Sequence, residues 1–300
     1  MSKSAPLYEL TSAPVDTEHL LARHEWQELR DAGHLLDAET MARFVAKGVL
    51  SFPALVPDAL NQAVMAGISA GSIGSGGYRG DALADLWPGE HPLGRIFRLP
   101  QVRGIIASLV GPRPRHDHHA LHSVGPRHVA AQSWHADATI DPRTNFDIQI
   151  MYFPHDTPVD MGGTMLLPGS HLRHVHEFEV ARYQHIVGQT PTVCPAGSIQ
   201  VLHHGIWHRA RGNATDQMRS MFKLRLNPQW KQQRLFAMSG HDSSAVDHIL
   251  QTPEPWFGSD ARLEYVNRIR LWRELTGDCT YDAGLWLSRL AASPERQLAG

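Results

Sequence analysis

Asp147-Ile148-Gln149-Ile150-Met151-Tyr152-Phe153 places Ile148, Ile150 and Tyr152 on one side of an extended chain and Asp147, Gln149 and Met151 on the other. A later stretch repeats the pattern: Met218, Ser220, Phe222, Leu224 and Leu226 alternate with Arg219, Met221, Lys223 and Arg225. One apolar and one polar face at a period of two describes strands that pack on helices with one side and line a polar pocket with the other. Between them, the run Ser198 to His203 also reads as a strand, and turn signals stand at Pro168-Gly169-Ser170 and Pro195-Ala196-Gly197. Short strands joined by such turns predict a mainly β core, a double-stranded β-helix (jelly-roll or cupin-like barrel) rather than a parallel sheet.

Away from this core the period becomes helical. Leu20, Leu21, Trp26 and Leu29 mark a first helix that closes at Gly33, and an Asp37 cap opens a second that runs through Met41, Phe44 and Val45 to Gly48. Val49 to Phe52 reads as a short strand, Pro57 opens a third helix, and residues 100–110 form another that ends at Gly111-Pro112. The glycine-rich stretch 70–91 is expected to be a long mobile loop and a candidate lid. Beyond Pro228, Leu263, Val266, Ile269, Leu271 and Trp272 form one apolar stripe and Leu285, Trp286 and Leu290 another. The expected organisation is a single domain over residues 1–300: a helical part at about 16–110 packed on the major sheet, a jelly-roll core at 111–227, and a helical extension at 228–300.

Composition narrows the classes of function. Lys plus Arg is 28 against 30 Asp plus Glu, a formal charge of −2, so no global charge draws the chain to nucleic acid or an anionic membrane. No apolar run approaches the roughly 20 residues that span a bilayer, and Met1 to Leu10 lacks the apolar core of a secretory signal. The two cysteines, Cys194 and Cys279, form neither a disulfide framework nor a zinc spacing. These features predict a cytoplasmic monomer or homodimer whose partner is a small molecule.

Candidate chemistry centres on Ser133-Trp134-His135-Ala136-Asp137. On a strand, positions i and i+2 share a face, so His135 and Asp137 can reach one metal while Trp134 and Ala136 point away. Two histidines and a carboxylate hold a non-haem Fe(II) on one face and leave the opposite face open. Twenty histidines make one H-x-D expected by chance, so a second histidine from a distant strand is required, and His203, His204 and His208 compete for that role. Position relative to Arg219 separates them, since a guanidinium set deep in the pocket suits the distal carboxylate of a dicarboxylate such as 2-oxoglutarate.

Three segments resemble the phytanoyl-CoA dioxygenase family of Fe(II)/2-oxoglutarate oxygenases. They are Gln132 to Asp137, the run Gly162-Gly163-Thr164-Met165-Leu166-Leu167-Pro168-Gly169-Ser170-His171, and Trp207-His208-Arg209-Ala210 through Asn213 to Arg219. They occur in the family's order and spacing, and the resemblance covers roughly residues 38–227. It implies that His135, Asp137 and His208 bind iron, that Arg219 holds the far carboxylate of 2-oxoglutarate, and that Gln132 lies beside this co-substrate. It implies an enzyme that uses O2 to hydroxylate or otherwise oxidise a C–H bond of a small molecule, releasing succinate and CO2. His171 is then part of a turn. Relatives often carry a hydroxyl two residues after the second histidine, where this chain has Ala210, and Gln149 or Thr164 could compensate. Asp137 itself argues against halogenation, because halogenating relatives have a small residue there.

The rival readings are a cupin-type metalloenzyme that needs no 2-oxoglutarate and recruits His203 or His204, and a non-catalytic jelly-roll protein binding a small ligand. Of the other histidines, alternation along 116–122 directs His118 and His122 toward the pocket. Arg113, Arg115 and Arg127 lie near the site in sequence and could attract an anionic group.

Overall fold

The computed structural model describes residues 17–77, 80–137, 145–173, 185–255 and 258–282. Among the described residues, five α-helices lie before residue 111, with one short strand (Val49–Phe52) between the second and third: α1 (Thr17–Asp31), α2 (Ala38–Lys47), α3 (Asp58–Ser69), α4 (Pro92–Phe97) and α5 (Pro100–Val110). Asp37 caps α2 by accepting from the Thr40 amide at 2.7 Å, and Gly48 ends the helix in the left-handed region at φ 69°. A Cβ at Gly48 would also lie 2.5 Å from His171 Nδ1, so backbone conformation and packing both call for glycine there. Helix α2 buries Met41, Phe44 and Val45 against the sheet, each contributing about 1.5–3 kcal/mol of apolar burial.

Two antiparallel sheets form the core. The larger has the order β1-β6-β3-β8-β2, built from β1 (Val49–Phe52), β2 (Arg115–Val124), β3 (Ile148–Phe153), β6 (Ser198–His203) and β8 (Arg219–Asn227). The smaller has the order β5-β4-β7, built from β4 (Thr164–Leu167), β5 (Thr190–Pro191) and β7 (Trp207–Ala210). The alternation seen in the sequence sorts the layers. Ile148, Ile150, Tyr152, Ile199, Val201, Phe222, Leu224 and Leu226 pack with the helices, whereas Met151, Phe153, Leu202 and Met221 meet Leu166 of the smaller sheet. The arrangement is a jelly roll of two facing sheets rather than a closed barrel, with helices covering the outer face of the larger one.

Two elements beyond β8 complete the helical cover: α6 (Ser244–Gln251) and α7 (Gly258–Thr276). Ile269, Leu271 and Trp272 of the expected stripe are fully buried, but Leu263 is exposed because it lies on the outer side of α7. Leu285, Trp286 and Leu290 lie outside the described residues.

The glycine-rich stretch departs from the expectation of a mobile lid. The Gly76 and His119 backbones exchange hydrogen bonds of 3.0 and 2.9 Å, Gly80 N–H donates to His116 O at 2.9 Å, and His116 N–H donates to Asp81 O at 2.8 Å. The segment thus covers the free edge of β2, whose unpaired amides and carbonyls would otherwise face water or another strand.

Candidate metal centre

His208 lies on β7, and His135 reaches it from an irregular segment through a single antiparallel bridge, His135 N–H to His208 O at 3.1 Å and His208 N–H to His135 O at 2.9 Å. Each ring is then fixed by a local carbonyl: His135 Nδ1 donates to Ser133 O at 2.9 Å and His208 Nδ1 to Ile206 O at 3.0 Å. A carbonyl only accepts, so Nδ1 carries the proton in both and each Nε2 lone pair is left free for a metal. His135 Nε2 lies 3.9 Å from Asp137 Oδ1, and His208 Nε2 lies 4.0 Å from Asp137 Oδ2. One ligand atom from each of the three residues falls within 4.8 Å of the other two. Two neutral imidazoles and a hard carboxylate are the donor set that suits a divalent iron with open positions.

Strand alternation alone does not produce this geometry. Asp137 lies in a bend rather than a strand, although Trp134 and Ala136 still turn outward, into a cluster with Met165, Leu167 and Trp207. The Arg209 guanidinium lies over the Trp134 ring at 5.1 Å and closes that cluster.

Electrostatics favour a metal-ready state. Burial pushes His208 down to about 4, so its ring is neutral at pH 7 and offers a lone pair without first losing a proton. Burial would raise the Asp137 carboxyl, but the neighbouring His208, Lys223 and His135 outweigh it and hold the group below the usual carboxylate range. Lys223 Nζ donates to Asp137 Oδ2 at 3.1 Å. Nothing in the motif pointed to this contact; the one available signal was that Lys223 falls on the same face of β8 as Arg219.

His135 and His208 line a cavity of about 350 Å³, together with residues including His122, Gln149, Met151, Phe153, Thr164, Arg219 and Lys223. Arg219 projects from the start of β8, its Nη1 donating to Met161 O at 2.7 Å and Nη2 to Arg211 O at 3.0 Å. Two carbonyls thus hold the fork in place beside the cavity that Arg219 lines. Gly162 permits this approach: its φ is +95°, and a Cβ there would lie 2.4 Å from Arg219 Nη1 and 2.0 Å from Gly212 O. Gln132 also lines the cavity; its amide donates to Ala210 O at 3.0 Å and its side-chain Oε1 accepts from Ala210 N–H at 3.1 Å. The two candidate substitutes for a hydroxyl at Ala210 are separated by register. Thr164 is paired directly with Ala210 across β4 and β7, whereas Gln149 is paired with Arg225, six residues along β8 from Arg219.

Other sequence candidates fall elsewhere. His122 lines the cavity, but His118, on the same face, is taken up by Asp117 at 2.6 Å. A bulge at Asp117 turns His116 to the helical side, where its ring lies 5.3 Å from that of His119. His203 and His204 do not line the cavity. His203 packs against Phe146 and His171 at 5.0 and 4.7 Å, and His204 Nδ1 accepts from the Asp147 amide at 2.9 Å. His171 is buried in its turn with Nε2 on Val45 O at 3.1 Å. The three arginines lie away from the cavity as well. Arg113 pairs with Glu25 at 2.7 Å, Arg127 pairs with Asp216 at 2.7 Å on the surface, and Arg115 opposes Asn227 at the far end of β2. Nearness in sequence misleads here because a ten-residue strand carries the chain about 30 Å.

Facing antiparallel sheets, a two-histidine, one-carboxylate cluster between them and a cavity lined by an arginine define the class of non-haem metal oxygenase folds. More narrowly, residues 91–221 match the family model for phytanoyl-CoA dioxygenase. Two solved structures similar in fold are the non-haem α-ketoglutarate-dependent carbocyclase SnoK from nogalamycin biosynthesis and HygX from Streptomyces hygroscopicus. SnoK is 17% identical with a TM-score of 0.50, covering 64% of this chain and 84% of its own. The apo form of HygX is 12% identical with a TM-score of 0.53, covering 65% of this chain and 88% of its own. HygX is also known with nickel and 2-oxoglutarate bound. Among curated proteins, no sequence matches significantly. Among the described residues, no helix is long and apolar enough to cross a membrane.

Proposed function

We propose that the protein is an Fe(II)- and 2-oxoglutarate-dependent oxygenase that oxidises a C–H bond of a small molecule, hydroxylation being the reading that Asp137 favours. The observation that carries this is the convergence of His135 Nε2, His208 Nε2 and the Asp137 carboxylate, with the two histidines lining a cavity that Arg219 also lines. His135, Asp137 and His208 would hold the iron, Arg219 would hold the distal carboxylate of 2-oxoglutarate, and Gln132 would flank it. Bound together, iron and 2-oxoglutarate supply the O2-dependent oxidation, with succinate and CO2 released.

The chain's own contribution is placement. The carbonyls of Ser133 and Ile206 keep both histidine rings in the tautomer that presents Nε2. The carbonyls of Met161 and Arg211 orient the Arg219 fork, and Met151, Phe153 and Met221 give the cavity apolar walls that limit water. A cupin-type centre with additional histidine ligands is disfavoured, since His203 and His204 lie outside the cavity.

Anaerobic titration of the metal-free protein with Fe(II) and 2-oxoglutarate tests the assignment without knowledge of the substrate. A visible charge-transfer band is expected in the wild type and none in His135→Ala. A folded wild type without the band returns the protein to the cupin or ligand-binding readings. Arg219→Met is expected to weaken 2-oxoglutarate binding by about 10–100-fold, the equivalent of a lost charge-assisted bond of about 1.5–3 kcal/mol.

A further inference from the structure

Asp137 differs from the two histidines in how it is held. His135 and His208 are bridged to each other through the backbone and braced through Nδ1, whereas Asp137 lies past that bridge in a bend outside any named strand. Its fixed contacts come from β8 instead. Lys223 Nζ donates to Asp137 Oδ2 at 3.1 Å, and Arg225 Nη1 donates to the Asp137 main-chain carbonyl at 3.4 Å. Arg225 is anchored in turn by Asp147 Oδ2, 2.9 Å from Nη2. β8 is paired on both sides, with β2 and β3, so the two cations stand on a rigid platform. Lys223 and Asp137 side chains are only 14% and 20% exposed, which makes this an ion pair largely withdrawn from water.

We propose that Lys223 and Arg225 are positioning residues that hold Asp137 as a one-oxygen metal ligand. The proposal rests on the metal-site reading given above. Its chemical logic is one of coordination positions. A bidentate 2-oxoacid and O2 together need three open positions, and three single-atom protein ligands leave that number on a six-coordinate ion. A carboxylate free to rotate can bind through both oxygens and close one of the three. The ammonium of Lys223 occupies Oδ2 and leaves Oδ1, on the His135 side, for the metal; Arg225 keeps the Asp137 backbone from drifting. The row Arg219, Lys223, Arg225 along one face of β8 thus orients both the co-substrate and the carboxylate ligand.

The test compares wild type with Lys223→Met and Lys223→Arg, using Co(II) alone as a spectroscopic probe and then Fe(II) with 2-oxoglutarate. Lys223→Met is expected to change the visible Co(II) spectrum, as the freed oxygen coordinates. It is also expected to weaken 2-oxoglutarate binding to the Fe(II)-loaded protein by about 10–100-fold, and Lys223→Arg should restore both. A merely structural role would lower thermal stability without altering the Co(II) spectrum. A Lys223→Met protein with the wild-type Co(II) spectrum and 2-oxoglutarate affinity overturns the proposal, and so does a Lys223→Arg protein indistinguishable from it. If Lys223→Met fails to fold, Arg225→Met is expected to shift the Co(II) spectrum in its place, and an unchanged spectrum there also overturns it. Should the wild type bind Co(II) yet give no charge-transfer band with Fe(II) and 2-oxoglutarate, the oxygenase reading falls while the Co(II) spectra still decide the clamp.

Discussion

Two groups of histidines lie close together in this molecule and do different things. Between the sheets, the rings of His135 and His208 lie 4.4 Å apart and face a carboxylate. Behind the larger sheet, His203 lies 4.7 Å from both His171 and His204 and packs under Phe44 and Phe146. The backbone makes the difference. In the first group, carbonyls take the Nδ1 proton and leave Nε2 lone pairs converging on Asp137. In the second, the Gly205 amide donates to Nδ1 of His203, His204 Nδ1 lies within reach of both the amide and the carbonyl of Asp147, and the rings serve as core. Crowding of histidines is therefore no guide to a metal site; whether the main chain accepts from Nδ1 or donates to it, and what faces Nε2, decides.

The comparison breaks most sharply at His208. His208→Ala is expected to abolish the Fe(II) and 2-oxoglutarate charge-transfer band, while His204→Gln should leave it unchanged. A band lost in both variants would make the rear group part of the site. Next comes Gly48→Ala, which forces a Cβ into the His171 ring at a positive φ. A loss of about 2–4 kcal/mol in urea unfolding is expected, with metal binding intact in the folded fraction.

His171→Gln should cost about 1–3 kcal/mol at neutral pH, through the lost bond to Val45 O, again without spectroscopic effect. The same residue predicts a pH dependence. Burial holds His171 at about 3 when folded, below its ordinary value of 6.5. Above pH 6.5 both folded and unfolded states are neutral there and stability is full. As pH falls from 6.5 toward 3, only the unfolded chain takes up the proton, so stability drops by about 1.4 kcal/mol per pH unit from this residue alone. His171→Gln should flatten that part of the unfolding profile. The smallest expected effect is at Ala210. Restoring a hydroxyl with Ala210→Ser should tighten 2-oxoglutarate binding by about two- to tenfold. An unchanged affinity would mean that Thr164, directly across the ladder, already fills that position.

Much of this was open to reading from the chain. The alternation at 148–152 and 219–226 placed the apolar side chains on the correct face of the sheet, because strand period depends on local geometry alone, whereas Met218 lies before β8 and is exposed. The Asp37 and Gly48 caps were likewise legible, since capping is settled within one turn. The motif segments brought forward His135, Asp137, His208 and Arg219; the first three lie together, and Arg219 lines the same cavity as the two histidines.

The remainder depended on contacts between residues far apart in sequence. The glycine-rich stretch 70–91 could not be distinguished from a lid, because its hydrogen bonds go to β2, whose edge exists only once the sheet has formed. The bulge that turns His116 away from His118 has no local signature. The pairing of Lys223 with Asp137 spans 86 residues. Sequence by itself determined which residues can bind a metal and which faces are apolar, since ligand chemistry and side-chain period are local properties. Only the tertiary structure decided which histidines receive a carboxylate neighbour and what holds that carboxylate, since both follow from the packing of one sheet against another.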